Sequence, residues 1–199
     1  MFIDYVTLML VNMSAGLFLL GYFLIKGLRG ADSQSWSAAF AIIALIALVT
    51  GFHMSFTWPL PDAYNIVFGE LTVLFGAVYA GIALSLAARW KLSHLAIFII
   101  VASLTALILG SGMIKMKLSG NRMIAGAGFI LAGVGGLLTG GAFCARENRS
   151  VRVFGAIVLF LAAAIWGLIG GMAYWGHLDR FKDYRPVHAG QPPASEEMP

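Results

Sequence analysis

Six long runs of apolar residues, separated by short polar connectors, constrain the fold of this chain more than any other feature. An α-helix needs about 20 such residues to cross about 30 Å of hydrocarbon. The runs are too long and too evenly apolar for the alternating strands of a membrane β-barrel. We therefore predict an all-α, multi-pass membrane protein, a bundle of six transmembrane helices over residues 5–27, 36–57, 65–88, 94–115, 123–144 and 151–175.

The low content of charged residues excludes several classes of protein. Only 11% of the residues are charged, whereas a soluble domain carries about 25% to cover its surface. This excludes a soluble enzyme, a nucleic-acid-binding domain and a disordered chain. The 13 Lys and Arg are scattered through the connectors, so the expected partner is the lipid bilayer and not a nucleic acid. The chain has no hydrolase motif and one cysteine, Cys144, so we predict no enzyme, no disulfide and no structural zinc site.

The order of apolar and polar segments predicts one membrane domain and a tail. We place the six-helix domain at residues 1–176 and a polar, largely disordered tail at residues 177–199. We predict that the first run is a helix and not a cleaved signal peptide, because it opens with Asp4 and is longer than a signal core. The first three connectors carry two, no and two Lys or Arg, which favours a cell-membrane protein with both termini outside.

Glycines are concentrated in the fifth and sixth runs. Gly136 and Gly140 share one helix face, as do Gly167 and Gly171, and such pairs let helix backbones approach closely. Two interpretations stay open: tight packing inside one chain, or a subunit interface or pore-lining face.

Glu70 is the only acidic residue well inside an apolar run. An intramembrane carboxylate must be protonated, paired or hydrated, so it indicates a functional site. His53 and Glu70 both lie about 6–8 Å below the same membrane face, and Asn12 and Ser55 lie on that side of the membrane. These four residues are a candidate vestibule that binds a solute, a proton or a metal. Alternatively, His53 and Glu70 share a hydrogen bond that only joins helices two and three.

Other polar groups in the spans give weaker indications. His177 ends the sixth run on the side of His53, so the two histidines are an alternative haem or copper site in a protein otherwise expected to hold no cofactor. Tyr79 and Trp166 lie mid-span, where their polar atoms need partners. Trp166 is a candidate constriction whose N–H orients a polar solute, and an interhelical hydrogen bond is the alternative.

The third run reads Phe-Gly-Glu-Leu-Thr-Val-Leu-Phe-Gly-Ala-Val-Tyr over Phe68–Tyr79. With one gap, this stretch resembles the third helix of the urea and short-chain amide channel family, and Ala15–Tyr22 of the first run is similar in kind. The resemblance implies six helices per subunit, both termini outside, and a ring of six subunits with one pore each. It places Glu70, Tyr79 and Trp166 along the pore and implies no catalytic residue.

The chain also resembles an uncharacterised family of small prokaryotic membrane proteins on the segment Phe-His-Met-Ser-Phe-Thr-Trp-Pro-Leu-Pro, residues Phe52–Pro61. This second resemblance implies no activity. The sixth run departs from the channel family, because it opens with Val151–Gly155 in place of an acidic-Trp-Trp stretch. The departure leaves the identity of the solute open.

The first functional hypothesis is a passive channel or carrier for a small polar solute, such as an amide, ammonia, water or a weak acid, working as a homo-oligomer. Its selectivity would come from pore width and from a few hydrogen-bonding groups, Glu70 and His53 among them. The alternatives are an accessory subunit of a membrane redox complex that contacts haem or quinone, and a structural assembly subunit. A Soret band in the purified protein would favour the redox alternative.

Overall fold

The computed structural model describes residues 5–30, 32–61, 63–116 and 122–182, and all regular structure within them is helical. Six helices are each long and apolar enough to cross a membrane, which confirms the predicted fold class. The α-helical segments are α1 (Tyr5–Tyr22), α2 (Ser37–Thr57), α3 (Leu71–Ala87), α4 (Ala96–Lys115), α5 (Arg122–Cys144) and α6 (Arg149–Phe181).

Four of these helices are extended by turns of other helical types. α1 continues as a π-helical segment, Phe23–Gly27, and a second π-helical segment, Asn65–Glu70, leads into α3. Short 3₁₀ turns, Gln34–Trp36 and Leu92–Leu95, lead into α2 and α4. With these extensions, the first five membrane helices begin and end within about two residues of the predicted bounds.

The end of α6 differs from the prediction. The helix continues to Phe181, so residues 177–181, predicted to belong to a disordered tail, are helical. No proline interrupts this stretch, and Lys182 Nζ lies 3.3 Å from Asp179 Oδ1, one turn earlier. The charged residues after the apolar run therefore do not end α6. The rest of the predicted tail, residues 183–199, lies outside the described residues.

The six helices form a closed ring in chain order, because each contacts the next and α6 returns to contact α1. Consecutive helices are antiparallel, so α1, α3 and α5 begin at one end of the bundle, the Tyr5 end, and finish at the opposite, Arg89 end. The core between them is apolar and includes the fully buried rings of Phe23, Phe40 and Trp166.

Small residues allow α4 and α5 to pack at short distance. A Cβ added at Gly110 would lie 2.9 Å from the carbonyl oxygen of Gly126, and one added at Gly136 would collide with Ser103 Oγ. Because lipid is as apolar as the side chains, close van der Waals packing of this kind holds membrane helices together. Packing inside one chain therefore accounts for Gly136 and Gly140, both of which face α4.

The two glycines of the α6 pair, Gly167 and Gly171, differ in whether they contact another helix. A Cβ at Gly167 would lie 3.0 Å from Ser14 Oγ of α1, so Gly167 also serves packing inside the chain. Gly171 has no neighbouring atom within 4 Å of an added Cβ among the described residues.

Candidate functional site

No hydrogen bond or ring contact joins any two of the four predicted vestibule residues in the part of the chain that the structure describes. Asn12 is buried, and its Nδ2 donates a hydrogen bond of 3.0 Å to the carbonyl oxygen of Ile43. Ser55 Oγ donates at 2.9 Å to the carbonyl oxygen of Gly51, one turn earlier in its own helix. Both groups therefore have partners within the bundle, and Asn12 joins α1 to α2.

Glu70 lies on the outer surface of the bundle. Its side chain is exposed, whereas the adjacent Gly69 and Leu71 are buried. Across the part of the chain that the structure describes, Glu70 makes no hydrogen bond and no ion pair. The alternative interpretation, a hydrogen bond between Glu70 and His53, is therefore absent from the described residues.

The histidines at the Tyr5 end contact α1. The ring of His53 meets that of Tyr5 edge-on, with 5.0 Å between centroids. His177 Nδ1 lies 3.2 Å from Thr7 Oγ1, which joins the end of α6 to the start of α1. Among the described residues, no group of three His, Cys, Asp or Glu side chains is placed to hold a metal ion.

Tyr79 and Trp166, the two mid-span candidates, both lie in the apolar core. Trp166 is fully buried, and its ring meets Phe129 at 4.6 Å and Phe68 at 6.3 Å between centroids. We call these three side chains the Trp166 layer. The indole Nε1–H is buried and finds no hydrogen-bond acceptor among the described residues. Buried donors are almost always paired, so an unpaired one calls for an explanation.

A second group of aromatic rings lies nearer the Arg89 end. Phe40 stacks on Tyr79 at 6.0 Å between centroids, and Phe23 meets Phe40 at 5.3 Å and Phe143 at 6.4 Å. We call these four side chains the Phe23 layer. Between the two layers lies a central cavity of about 20 Å³, lined in part by Tyr79, Ser103 and Gly136. A cavity of this size holds about one water molecule.

A larger cavity, which we call the Arg89 cavity, opens at the Arg89 end. It has a volume of about 380 Å³, and Phe23 is part of its lining, so the cavity ends on the Phe23 layer. Its polar lining includes Asp32, Gln34, Arg89 and Arg146. The arrangement along the axis is therefore a polar cavity, an aromatic layer, a one-water cavity and a second aromatic layer.

Two of the buried polar residues that the sequence analysis did not single out, Asn65 and Arg152, bond to the backbone of another segment. Asn65 is fully buried, and its side chain accepts a hydrogen bond from Leu60 N and donates one to Leu60 O. Its position just after two prolines, where Asn commonly bonds to nearby backbone, was an available signal. Arg152 is 7% exposed, and its Nη1 donates to the carbonyl oxygen of Leu24 at 3.4 Å, within the π-helical end of α1. Nothing in its sequence context distinguishes Arg152 from the exposed Arg149.

Replacing Asn65 by alanine is expected to lower the free energy of unfolding by about 2 kcal/mol, because both backbone groups of Leu60 lose their partner. The measurement is unfolding of the purified protein in detergent micelles, followed by circular dichroism. Thr57→Ala is the matched control, since its exposed hydroxyl bonds only to His53 O in the same helix. Equal stability of the two variants would contradict a structural role for Asn65.

Comparison with known proteins identifies a family and no activity. No curated protein and no solved structure matches the chain, so the resemblance to urea and amide channels has no support from these comparisons. A family model matches residues 1–180, which cover all six membrane helices except Phe181, the last residue of α6. The chain therefore belongs to the family described as "Protein of unknown function (DUF981)".

Proposed function

We propose that this protein is a passive membrane channel or carrier for a small polar solute, with its path along the bundle axis. The path would lead from the Arg89 cavity past the Phe23 layer, through the central cavity and past the Trp166 layer. This places the path among Tyr79 and Trp166 rather than at Glu70, which faces outward.

The buried Nε1–H of Trp166 is the observation that carries the proposal. A donor left unpaired in the core is destabilising by about 1–3 kcal/mol. A carbonyl or water oxygen arriving from a passing solute would accept this hydrogen bond and replace part of the solute's lost hydration. Water and ammonia match the size of the central cavity, and an amide or a protonated weak acid would need the cavity to widen by movement of the surrounding rings. Each of these solutes has an oxygen or nitrogen atom that can accept such a bond.

The apolar surroundings would exclude ions. Phe23, Phe40, Phe68 and Phe129 supply rings and no charge, so an ion entering either layer would lose its hydration without compensation. Narrow width and few hydrogen-bonding groups are the means by which channels select small neutral solutes. The buried rings of the two layers would have to rotate for a solute to pass.

Orientation and assembly belong to the same proposal. Seven Lys and Arg of the described residues lie at the Arg89 end: Lys26, Arg29, Arg89, Lys91, Arg146, Arg149 and Arg152. Four others among the described residues, Lys115, Arg122, Arg180 and Lys182, lie at or beyond the Tyr5 end. By the positive-inside rule this difference favours a cell-membrane protein with the Arg89 end in the cytoplasm and both termini outside. A homo-oligomer with one path per subunit agrees with the resemblance to amide channels.

The test is stopped-flow uptake of urea, acetamide, ammonia and water into liposomes that contain the purified protein. We expect at least one of these solutes to enter faster than in protein-free vesicles. Trp166→Phe, which keeps a ring and removes the N–H, should slow its entry about fivefold, the equivalent of about 1 kcal/mol.

Trp175→Phe is the matched control, because Trp175 is on the same helix and 79% exposed. It should leave the permeability unchanged. Permeability equal to that of empty vesicles for all four solutes would refute the proposal.

A further inference from the structure

We propose that the Arg89 cavity binds the phosphate group of an anionic molecule between the guanidinium groups of Arg89 and Arg146. The inference is independent of transport, because it rests on the lining of this cavity and not on the path beyond it. The volume of about 380 Å³ is ample for a phosphate ester. Hydroxyl groups of Ser33 and Ser85 add hydrogen-bond donors to the lining.

The guanidinium group of Arg89 is held in place by hydrogen bonds that use only some of its N–H donors. Its Nε and Nη2 donate to Gln34 Oε1 at 3.2 and 3.1 Å, and Gln34 Nε2 in turn donates to the carbonyl oxygen of Ala87 at 3.1 Å. A guanidinium has five N–H donors, so Arg89 keeps donors beyond the two that Gln34 accepts. A fixed arginine with free donors is well suited to bind phosphate in a bidentate manner.

The backbone of Arg89 adopts a conformation that normally favours glycine. Its φ of 57° is in the left-handed region, where a residue with a Cβ is strained. The hydrogen bond from Trp90 N to Ser85 O, at 2.8 Å, is the bond that usually closes a helix ending in glycine. An arginine in this strained conformation indicates a use for its side chain.

Arg146 brings a second positive charge to the same cavity. Within the described residues its side chain has no hydrogen bond and no ion pair, while the adjacent Glu147 pairs with Arg29 at 2.8 Å. Asp32 is the one carboxylate that lines the cavity, and it forms no ion pair with either arginine in that same part of the chain. The cavity therefore has a net positive charge that the described residues leave uncompensated.

Two sources could supply the phosphate: a phospholipid headgroup or a free phosphate compound. Trp90, which is exposed and lines the cavity, is typical of the level at which lipid headgroups lie. Basic pockets at the cytoplasmic ends of membrane helices bind anionic headgroups. Both sources offer the same group to the two arginines, and separate arms of one experiment distinguish them.

The experiment uses the full-length protein in neutral detergent, titrated with inorganic phosphate in one arm and with phosphatidylglycerol in the other, with phosphatidylcholine as the neutral lipid. Binding is read from native mass spectra and from the shift in melting temperature. We expect saturable binding of phosphatidylglycerol or of phosphate, and about tenfold weaker binding in Arg89→Gly and in Arg146→Gln.

Arg89→Gly is the sharper variant, because glycine suits the backbone at this position and the fold should be at least as stable. Arg149→Gln is the matched control, since Arg149 is at the same end, is exposed and does not line the cavity. It should change the affinity less than twofold.

Each outcome has a defined meaning. Saturation by phosphatidylglycerol alone assigns the site to a lipid headgroup, and saturation by inorganic phosphate assigns it to a free phosphate compound. Binding of neither probe overturns the proposal. Equal losses in Arg89→Gly and Arg149→Gln also overturn it, because they would show attraction to the basic surface in general.

Discussion

Replacing Trp166 by alanine is expected to lower the free energy of unfolding by about 3 kcal/mol. The indole is fully buried and contacts Phe68, Phe129 and Gly128, so its removal leaves a large cavity in the core. In a water-soluble protein this change is destabilising by about 3–5 kcal/mol. We expect the lower value because lipid is as apolar as the core. Burying the indole away from lipid therefore gains little free energy, and the loss comes mainly from the van der Waals contacts that the indole makes.

The measurement is reversible unfolding in mixed micelles, and Trp175→Ala is its control. Trp175 is also in α6 but is 79% exposed, so its loss should change the stability by less than about 0.5 kcal/mol. Equal losses in the two variants would contradict the packing of Trp166 in the core. In liposomes, Trp166→Ala should also admit amides larger than acetamide, because the Trp166 layer has lost its largest side chain.

Replacing Gly136 by valine is expected to destabilise the bundle by about 2–3 kcal/mol. Even a Cβ at this position would collide with Ser103 Oγ, and the two further methyl groups of valine would force α4 and α5 apart. This pair of helices makes extensive contacts in the ring. The loss should appear as a lower melting temperature of the protein in detergent.

A size exchange tests the cause of that loss. Ser103→Ala removes the oxygen that the new side chain meets, so Gly136→Ala should be less destabilising in the Ser103→Ala background than in the wild-type chain. Gly171→Val is the control, since an added Cβ at Gly171 meets no described atom within 4 Å. No rescue by Ser103→Ala would mean that contacts other than Ser103 set the effect.

The candidate site was only partly predictable from the sequence. Tyr79 and Trp166 were identified because a polar atom in mid-span needs a partner, and both lie in the core. The contacts expected within the cluster around Glu70 are absent from the described residues. Counting residues along each helix gives the depth of a side chain in the membrane, but it does not give the side of the helix from which that side chain projects. Side chains on the same side of the membrane can still differ in whether they face the core or the outer surface: Asn12 is buried, whereas Glu70 is exposed.

The polar residues that organise the Arg89 end were also beyond a sequence argument. Arg89 ends α3 in a left-handed conformation without a glycine to indicate it. Gln34, which holds its guanidinium, is 55 residues away along the chain. Only the ring closure of the helices places these two residues, and Arg146 with them, around one cavity.

Sequence by itself determined that the chain is all-helical, has six helices long and apolar enough to span a membrane, and changes direction at the connectors. Those properties are local, since length and apolar character decide separately for each helix whether lipid can surround it. Tertiary structure alone decided which face of each helix is buried. In a soluble protein a polar face marks the side of a helix that meets water, but a helix in lipid is apolar on all sides, so its sequence does not identify the buried face. The axial arrangement of Tyr79 and Trp166, the outward position of Glu70 and the Arg89 cavity all follow from that choice.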